Sequence, residues 1–350
     1  MKHVATLATG LLLVGGLLGG CSQAVPAEPS PAAPAVTATP DAQAEAAAER
    51  TTVRIASLKG PTTMGLVKLM DDAEQGRGAQ DYQVSMFGTP DEVVVRVVQG
   101  EVDVALVPAN LAAVLHARTR DSDGAQVAVA AINTLGMLEV LENGNTVRSI
   151  ADLAGRTVYS TGKGASPEHV LNYLLVANGL DPASDLTIEY RSESTEVAAL
   201  LAGQPGAVGV LPQPYATVLT TQQTSVRTAL RLAEEWAAVS TDSQMVTGVV
   251  VVRTTFAEEH PEAFEDFLDD YRASTTFTNT EPALAAPLIV EAGIAPSAEV
   301  AEAAIPACNI TYIEGEEMRA VLGGYLEVLF DADPASTGGS LPGDDFYHRR

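Results

Sequence analysis

From residue 51 onward the apolar positions switch repeatedly between a period of two and a helical period. Val53-Arg54-Ile55-Ala56-Ser57-Leu58 reads as a strand punctuated by Gly60-Pro61-Thr62. Residues 64–75 have helical spacing behind a proline near the start. Residues 82–87 are predicted as strand, and Pro90-Asp91-Glu92 opens a helix that ends at Gly100. A strand over 102–107, a helix over 110–118 and a strand over 127–133 follow. Strands alternating with helices of this length argue for α/β sheets with parallel strands. The unbroken apolar run 102–107 fits a strand buried on both faces.

The pattern restarts after residues 135–145. A short helix over 149–155 leads to a strand over 156–160, the loop 161–167 and a helix over 168–178 stopped by Gly179. Strand 187–190, helix 195–202, strand 207–211, helix 214–220 and strand 226–230 come next, then a β-branched strand over 246–252. After it the chain turns helical over 256–277, with a break at His260-Pro261, over 282–292 and over 315–330. Residues 332–350, rich in Gly, Pro and Asp, read as a surface tail. The late helices need a partner for their apolar faces, and returning to the first unit supplies one.

The expected architecture is α/β with two lobes, each a mostly parallel sheet flanked by helices. Lobe 1 takes residues 51–134 and 253–350, and lobe 2 takes 135–252. Two crossing segments join them, near Thr134-Leu135-Gly136 and Thr247-Gly248. In open α/β sheets ligands sit beyond the carboxyl ends of the strands, so two facing lobes make a cleft.

The first fifty residues read differently. Residues 1–20 have a weakly basic start and then an apolar run with five glycines, a poor spanning helix but a fair export signal. Leu18-Gly19-Gly20-Cys21 is similar to the lipobox of bacterial lipoproteins, which implies cleavage before Cys21 and its lipidation. Residues 21–50, rich in Ala and Pro, lack apolar periodicity and are expected to form a disordered tether. The working compartment is then extracytoplasmic, at the bacterial cell membrane. The second cysteine, Cys308, lies in an apolar stretch and reads as core.

A formal net charge of −25, from 20 basic and 45 acidic residues, excludes a nucleic-acid backbone as partner. Only four of the basic residues are lysines: Lys2, Lys59, Lys68 and Lys163. Lys59 and Lys163 fall in matching loops, each between the first strand of its unit and a helix N-terminus. There free N–H groups and the helix dipole favour a negative or carbonyl-like group. The candidate ligand residues are Lys59, Gly60, Thr62, Thr63 and Met64 in one loop, and Thr161, Gly162, Lys163 and Ala165 in the other. Asn133, Thr134 and Thr247 at the crossings, and Gln213 and Tyr215 after a strand, complete the set. Asn110 either caps its helix or donates to a ligand. Gly88-Thr89-Pro90 and Ser192-Glu193-Ser194 are further loops at strand ends. The five histidines are isolated, and no metal spacing, Gly-x-Ser-x-Gly elbow, P-loop or dinucleotide fingerprint occurs, so neither a metal nor a cofactor is expected.

Residues 53–346 resemble substrate-binding proteins of nitrate/taurine/sulfonate-type ABC importers, related in fold to thiamine-pyrimidine precursor binding proteins. The stretches that carry the resemblance are Ala56-Ser57-Leu58-Lys59-Gly60-Pro61-Thr62-Thr63-Met64-Gly65, Gly100-Glu101-Val102-Asp103-Val104-Ala105, Ala131-Ile132-Asn133-Thr134-Leu135-Gly136, Leu153-Ala154-Gly155-Arg156-Thr157-Val158 and Leu211-Pro212-Gln213-Pro214. Gln213 stands where family members often carry Glu before the proline. The resemblance implies a type II periplasmic-binding fold, closure of the lobes on a small polar solute, an anion among the candidates, and delivery by a monomer to an ABC permease. The pyrimidine-synthase enzymes that share this fold need a Cys/His cluster, which the sequence lacks. A lipid-anchored sensor without transport and a cleft enzyme are the other readings.

Overall fold

The structure, a computed structural model, describes residues 50–120 and 124–350. The signal, Cys21 and all of the tether except Arg50 lie outside the described residues. In chain order the body comprises β1 (Thr52–Leu58), α1 (Pro61–Met64), α2 (Val67–Glu74), β2 (Asp81–Phe87), α3 (Pro90–Val98), β3 (Val104–Pro108), α4 (Ala109–Thr119) and β4 (Val127–Leu135). Then come β5 (Leu138–Asn143), β6 (Thr157–Ser160), α5 (Ser166–Ala177), β7 (Thr187–Tyr190), α6 (Ser194–Gly203), β8 (Val208–Pro212), α7 (Tyr215–Gln222), β9 (Val226–Arg231) and α8 (Leu232–Val239). The last elements are β10 (Val246–Arg253), α9 (Thr254–Glu259), α10 (Pro261–Thr280), α11 (Pro282–Glu291), α12 (Ala298–Ala304), β11 (Ile310–Ile313) and α13 (Gly315–Ala332).

Two sheets result, one per lobe. The first has the order β11-β4-β10-β3-β1-β2 and the second the order β7-β6-β8-β5-β9. β1 pairs in parallel with β2 and β3, and β6 with β7 and β8. Three strands run against the rest: β10 is antiparallel to β3 and β4, β11 to β4, and β5 to β8 and β9. All five residues of β3 are buried, as its unbroken apolar run requires.

The chain leaves the first sheet at Leu135 and enters the second at Leu138. It re-enters the first sheet at Val246, so residues 246–252 belong to lobe 1, not lobe 2 as expected. The reason is pairing: Val249 to Val252 sit between β3 and β4 with their side chains fully buried. Thr247 and Gly248 are therefore inside a strand rather than at a crossing.

Other departures have equally local causes. The helix expected over 64–75 is two helices broken at Gly65, where an added Cβ would lie 3.2 Å from the Tyr271 hydroxyl, Thr275 Oγ1 and Ile310 Cγ2. The break expected at His260-Pro261 separates α9 from α10. The C-terminal residues are not a surface tail: Ser336, Thr337 and Phe346 are buried, and Tyr347 bridges to Val129 in β4.

The largest apolar cluster runs through both lobes. Helix α13 carries it across. Tyr325 of α13 packs on Trp236 of α8, with centroids 5.3 Å apart, and Trp236 packs on Tyr173 of α5 at 4.7 Å. The Trp236 indole donates to Ser243 Oγ at 2.9 Å, and the only tryptophan is buried in the core.

Candidate functional site

A cavity of about 290 Å³ lies between the two sheets and is walled by the loops at their strand ends. Lobe 1 contributes Leu58, Lys59, Pro61 and Thr62 after β1, Gly88 and Pro90 after β2, Pro108 at the end of β3, and Thr247 from β10. Lobe 2 contributes Met137 and Leu138 where β5 begins, Thr161, Gly162, Ala165, Ser166 and Pro167 after β6, Ser192-Glu193-Ser194 after β7, and Pro212 and Tyr215 after β8.

Each wall has a local cause. The Lys59 N–H donates to Phe87 O at 2.9 Å, which extends the β1–β2 pairing one residue past the strand. Gly60, at φ 141, then turns the chain so that Pro61 starts α1. The hydroxyls of Thr62 and Thr63 donate back to Leu58 O at 2.7 and 2.6 Å and fasten the turn. In lobe 2 two glycines make the turn, Gly162 at φ 69 and Gly164 at φ 78. Glu168 accepts from the Gly164 N–H at 2.5 Å.

Of the expected ligand residues, Lys59, Thr62, Thr161, Gly162, Ala165, Tyr215 and Thr247 line the cavity. The other eight do not line it. Gly60 serves the turn. Thr63 is buried and also donates to Ser57 Oγ at 2.7 Å. Met64 is buried against Cys308, with their sulfurs 3.6 Å apart. Lys163 is exposed, with its ammonium 5.9 Å from the centroid of the Tyr190 ring. Asn133 and Thr134 lie on β4 beside β10, buried, and a Cβ on Gly248 would come within 2.4 Å of Asn133 Oδ1 and Thr134 Oγ1.

Asn110 neither caps its helix nor lines the cavity. Pro108 occupies the cap position, and the Asn110 amide donates to Gly164 O and Ser336 O, both at 3.3 Å. Its Oδ1 accepts from Ser166 Oγ at 3.1 Å, so it ties lobe 1 to the lobe 2 loop. Gln213 is turned inward as well. It donates to Glu139 Oε1 at 2.9 Å and accepts from Thr217 Oγ1 at 2.8 Å. Glu139 is buried and also accepts from Thr228 Oγ1 at 2.5 Å. Gln213 thus pairs with an acid held on the neighbouring strand. Burial pushes the Cys308 thiol up, and the nearby Glu139 charge adds to it, so the thiol stays protonated.

Two lining residues carry charge, Lys59 and Glu193. Thr195 Oγ1 donates to Glu193 Oε2 at 3.3 Å, and a Cβ on Gly88 would stand 3.6 Å from Glu193 Oε1. The carboxylate therefore sits where lobe 2 faces lobe 1. Burial raises the Tyr215 phenol, and the Glu193 charge raises it further, so it stays a neutral hydroxyl. Met137, Leu138 and Glu193 were absent from the expected ligand set. The strand-end rule had flagged the loop of Glu193, but nothing in the apolar run around Met137 and Leu138 signalled a wall. Among the described residues no group of three or more His, Cys, Asp or Glu could hold a metal ion, and no helix is long and apolar enough to cross a membrane.

Two α/β lobes joined by short crossings, with a cavity at the facing strand ends, define the periplasmic-binding class of fold. Comparison with known proteins specifies it further. Residues 79–298 match the family described as ABC transporter, phosphonate, periplasmic substrate-binding protein, and the chain belongs to that family. A search of curated proteins finds no match. Among solved structures, an ABC transporter protein from Parabacteroides distasonis is similar at 21% identity and a TM-score of 0.69, covering 86% of this chain and 99% of that one. The aliphatic sulphonate binding protein SsuA of Escherichia coli is similar at 16% identity and 0.65, over 81% and 88%. The nitrate-binding protein NrtA of Synechocystis is similar at 13% identity and 0.56, over 77% and 75%. At these identities the likeness shows the fold. The family places the protein as the extracytoplasmic solute-binding component of an ABC importer, in a family that binds small solutes and is not one of enzymes.

Proposed function

We propose that this chain captures its solute in the cavity between the sheets and delivers it to a permease without chemically changing it. The observation that carries the reading is a single cavity of about 290 Å³ walled by loops from both lobes. A solute there touches Lys59, Thr62 and Thr247 on one side and Thr161, Gly162, Ala165 and Tyr215 on the other. Contacts that exist only when both walls close on the solute shift the population toward the closed form. No histidine or cysteine lines the cavity, so it holds no nucleophile–base pair of the Ser–His or Cys–His kind. The lipobox-like Leu18-Gly19-Gly20-Cys21 supports a lipid anchor at Cys21, with residues 22–50 as a leash and the body acting as a monomer.

Thermal unfolding with and without a small-molecule extract of the growth medium tests the reading. A bound solute raises the melting temperature by mass action, and mass spectrometry of the released compound shows it unaltered. Absence of any shift, or release of a converted product, contradicts it. Radiolabelled palmitate incorporation that is lost in Cys21→Ala checks the anchor.

A further inference from the structure

The hydrogen bonds around the first crossing divide it between the lobes, and the division locates a pivot. Asn309 stands just before β11 and holds the crossing from the lobe 1 side. Its carbonyl accepts from the Leu135 N–H at 3.0 Å, and its side-chain amide donates to Gly136 O. Thr247 of β10 donates to Leu135 O at 2.7 Å. At the next residue lobe 2 takes over: the Gln213 N–H, just past β8, donates to Met137 O at 3.1 Å.

A peptide unit is planar, so each residue contributes two soft torsions. Gly136 O shares its plane with the Met137 nitrogen, and Met137 O belongs to the plane after it. Between the plane held by lobe 1 and the plane held by lobe 2 lie only φ and ψ of Met137. The return crossing is divided in the same way. The Trp236 indole donates to Ser243 Oγ at 2.9 Å and Ser240 Oγ bonds it at 2.7 Å, which ties Ser243 to α8 in lobe 2. Val246 already pairs with Leu135 in lobe 1, which leaves Gln244 and Met245 between. A Cβ on Gly136 would lie 3.2 Å from Met245 Sδ, so the two pivots are side by side.

Residue 136 is small because it packs on α8, where its Cβ would come 2.6 Å from Ala233 Cβ. Glycine is also the most permissive backbone, and unheld it would add two wide torsions to the pivot. Asn309 holds it from a left-handed backbone, φ 46, the one non-glycine residue with positive φ among the described residues. We propose that Asn309 is a positioning residue for solute capture: by clasping Gly136 to lobe 1 it confines rotation of the first crossing to Met137. The proposal rests on the solute-capture reading above. Met137 also lines the cavity, so the solute packs on the residue whose torsions close the lobes. A clasped pivot leaves fewer open arrangements for the solute to suppress, which lowers the entropic cost of closure.

Asn309→Gly tests it, because glycine accepts the left-handed backbone and keeps the carbonyl but has no amide to donate. Nitroxides carried by unnatural amino acids at the exposed Val98 and Val176 of the full chain report the spread between the lobes without solute. Asn309→Gly is expected to broaden that spread. Asn309→Asp, which tolerates the same backbone and cannot donate, is expected to broaden it too. Asn309→Gly should also need about three- to tenfold more medium extract for the same thermal shift, the range of one net hydrogen bond. A merely structural role would move the urea midpoint and leave the spread alone. Three results would overturn the proposal: a spread unchanged in both variants, an unchanged extract requirement, or hydrogen exchange at the Leu135 or Gln213 amide of wild type faster than at their strand neighbours. The spread and the exchange need no solute, whereas the capture reading fails separately if the extract shifts neither wild type nor variant.

Discussion

The two strand–loop–helix turns that open the lobes look alike in sequence and behave differently in space. Both place a lysine beside a glycine just ahead of a helix. After β1, Lys59 is still paired to β2 through its backbone, and its side chain reaches the cavity. After β6, Lys163 stands between two left-handed glycines that carry it out of the cavity toward Tyr190, leaving Gly162 and Ala165 as the wall. The first turn is fastened by its own threonine hydroxyls, the second by Asn110 reaching across from lobe 1. A shared motif fixes where a loop is, while the turn geometry decides which of its side chains faces the ligand.

The lobes also differ in what clamps them, and breaking those clamps gives the largest expected effect. Lobe 1 buries Asp103, which accepts from Arg54 at 2.5 and 2.9 Å and from Arg253 at 2.8 Å. Lobe 2 buries Glu142, which accepts from Arg227 and from the N–H groups of Thr146 and Val147. Burial pushes both carboxyls up, but these hydrogen bonds outweigh it and hold both below their ordinary values. A lowered folded value means stability that is full above the unfolded carboxylate range and is lost as pH falls toward the folded value. Asp103→Asn is expected to cost about 2–3 kcal/mol, at the low end for breaking a buried pair because Arg54 is half-solvated. Urea unfolding at neutral pH reads the cost, and the variant should lose less stability on acidification than wild type.

Next in size is Asn110→Ala, which strands the Ser166 hydroxyl and the Gly164 and Ser336 carbonyls. A loss of about 2 kcal/mol is expected, with faster amide exchange at 162–166 and none at 58–64. Equal loosening of both loops would break the comparison. Smaller again is Gly162→Ala, at about 1–2 kcal/mol from the left-handed backbone and a Cβ 2.9 Å from Pro167 Cγ. Gly164→Ala, with nothing within 4 Å, should cost only the backbone part, about 1 kcal/mol. The smallest effects separate the lysines. Lys59→Ala should change the affinity for a charged solute several-fold, and Lys163→Ala should leave it within about twofold.

Much of this body was legible in the sequence. The switching period located most strands and helices, because each element buries one face or, like β3, both. Pro90-Asp91-Glu92 marked the start of α3, where Thr89 and Glu92 form a capping box. β5 escaped notice because Leu-Glu-Val-Leu-Glu-Asn puts carboxylates at two buried positions, and only distant residues, Gln213, Thr228 and Arg227, make that burial tolerable. β11 and α12 are short, and they draw their stability from β4 and α11 rather than from local pattern. The C-terminal residues misled because their Gly, Pro and Asp content hides the few that anchor them, Ser336, Thr337 and Phe346. At the site, the strand-end rule found both walls. It could not tell which polar side chains turn inward, because Gln213, Thr63 and Asn110 are claimed by partners far along the chain.

The central claim is that the two loops are opposite walls of one solute-binding cavity. The most direct measurement is the distance between spin labels at Val98 on lobe 1 and Val176 on lobe 2, both exposed, with and without saturating solute. The distribution is expected to shorten and narrow on solute addition, and to keep doing so in Lys163→Ala. A distribution unchanged by a solute that raises the melting temperature would contradict it.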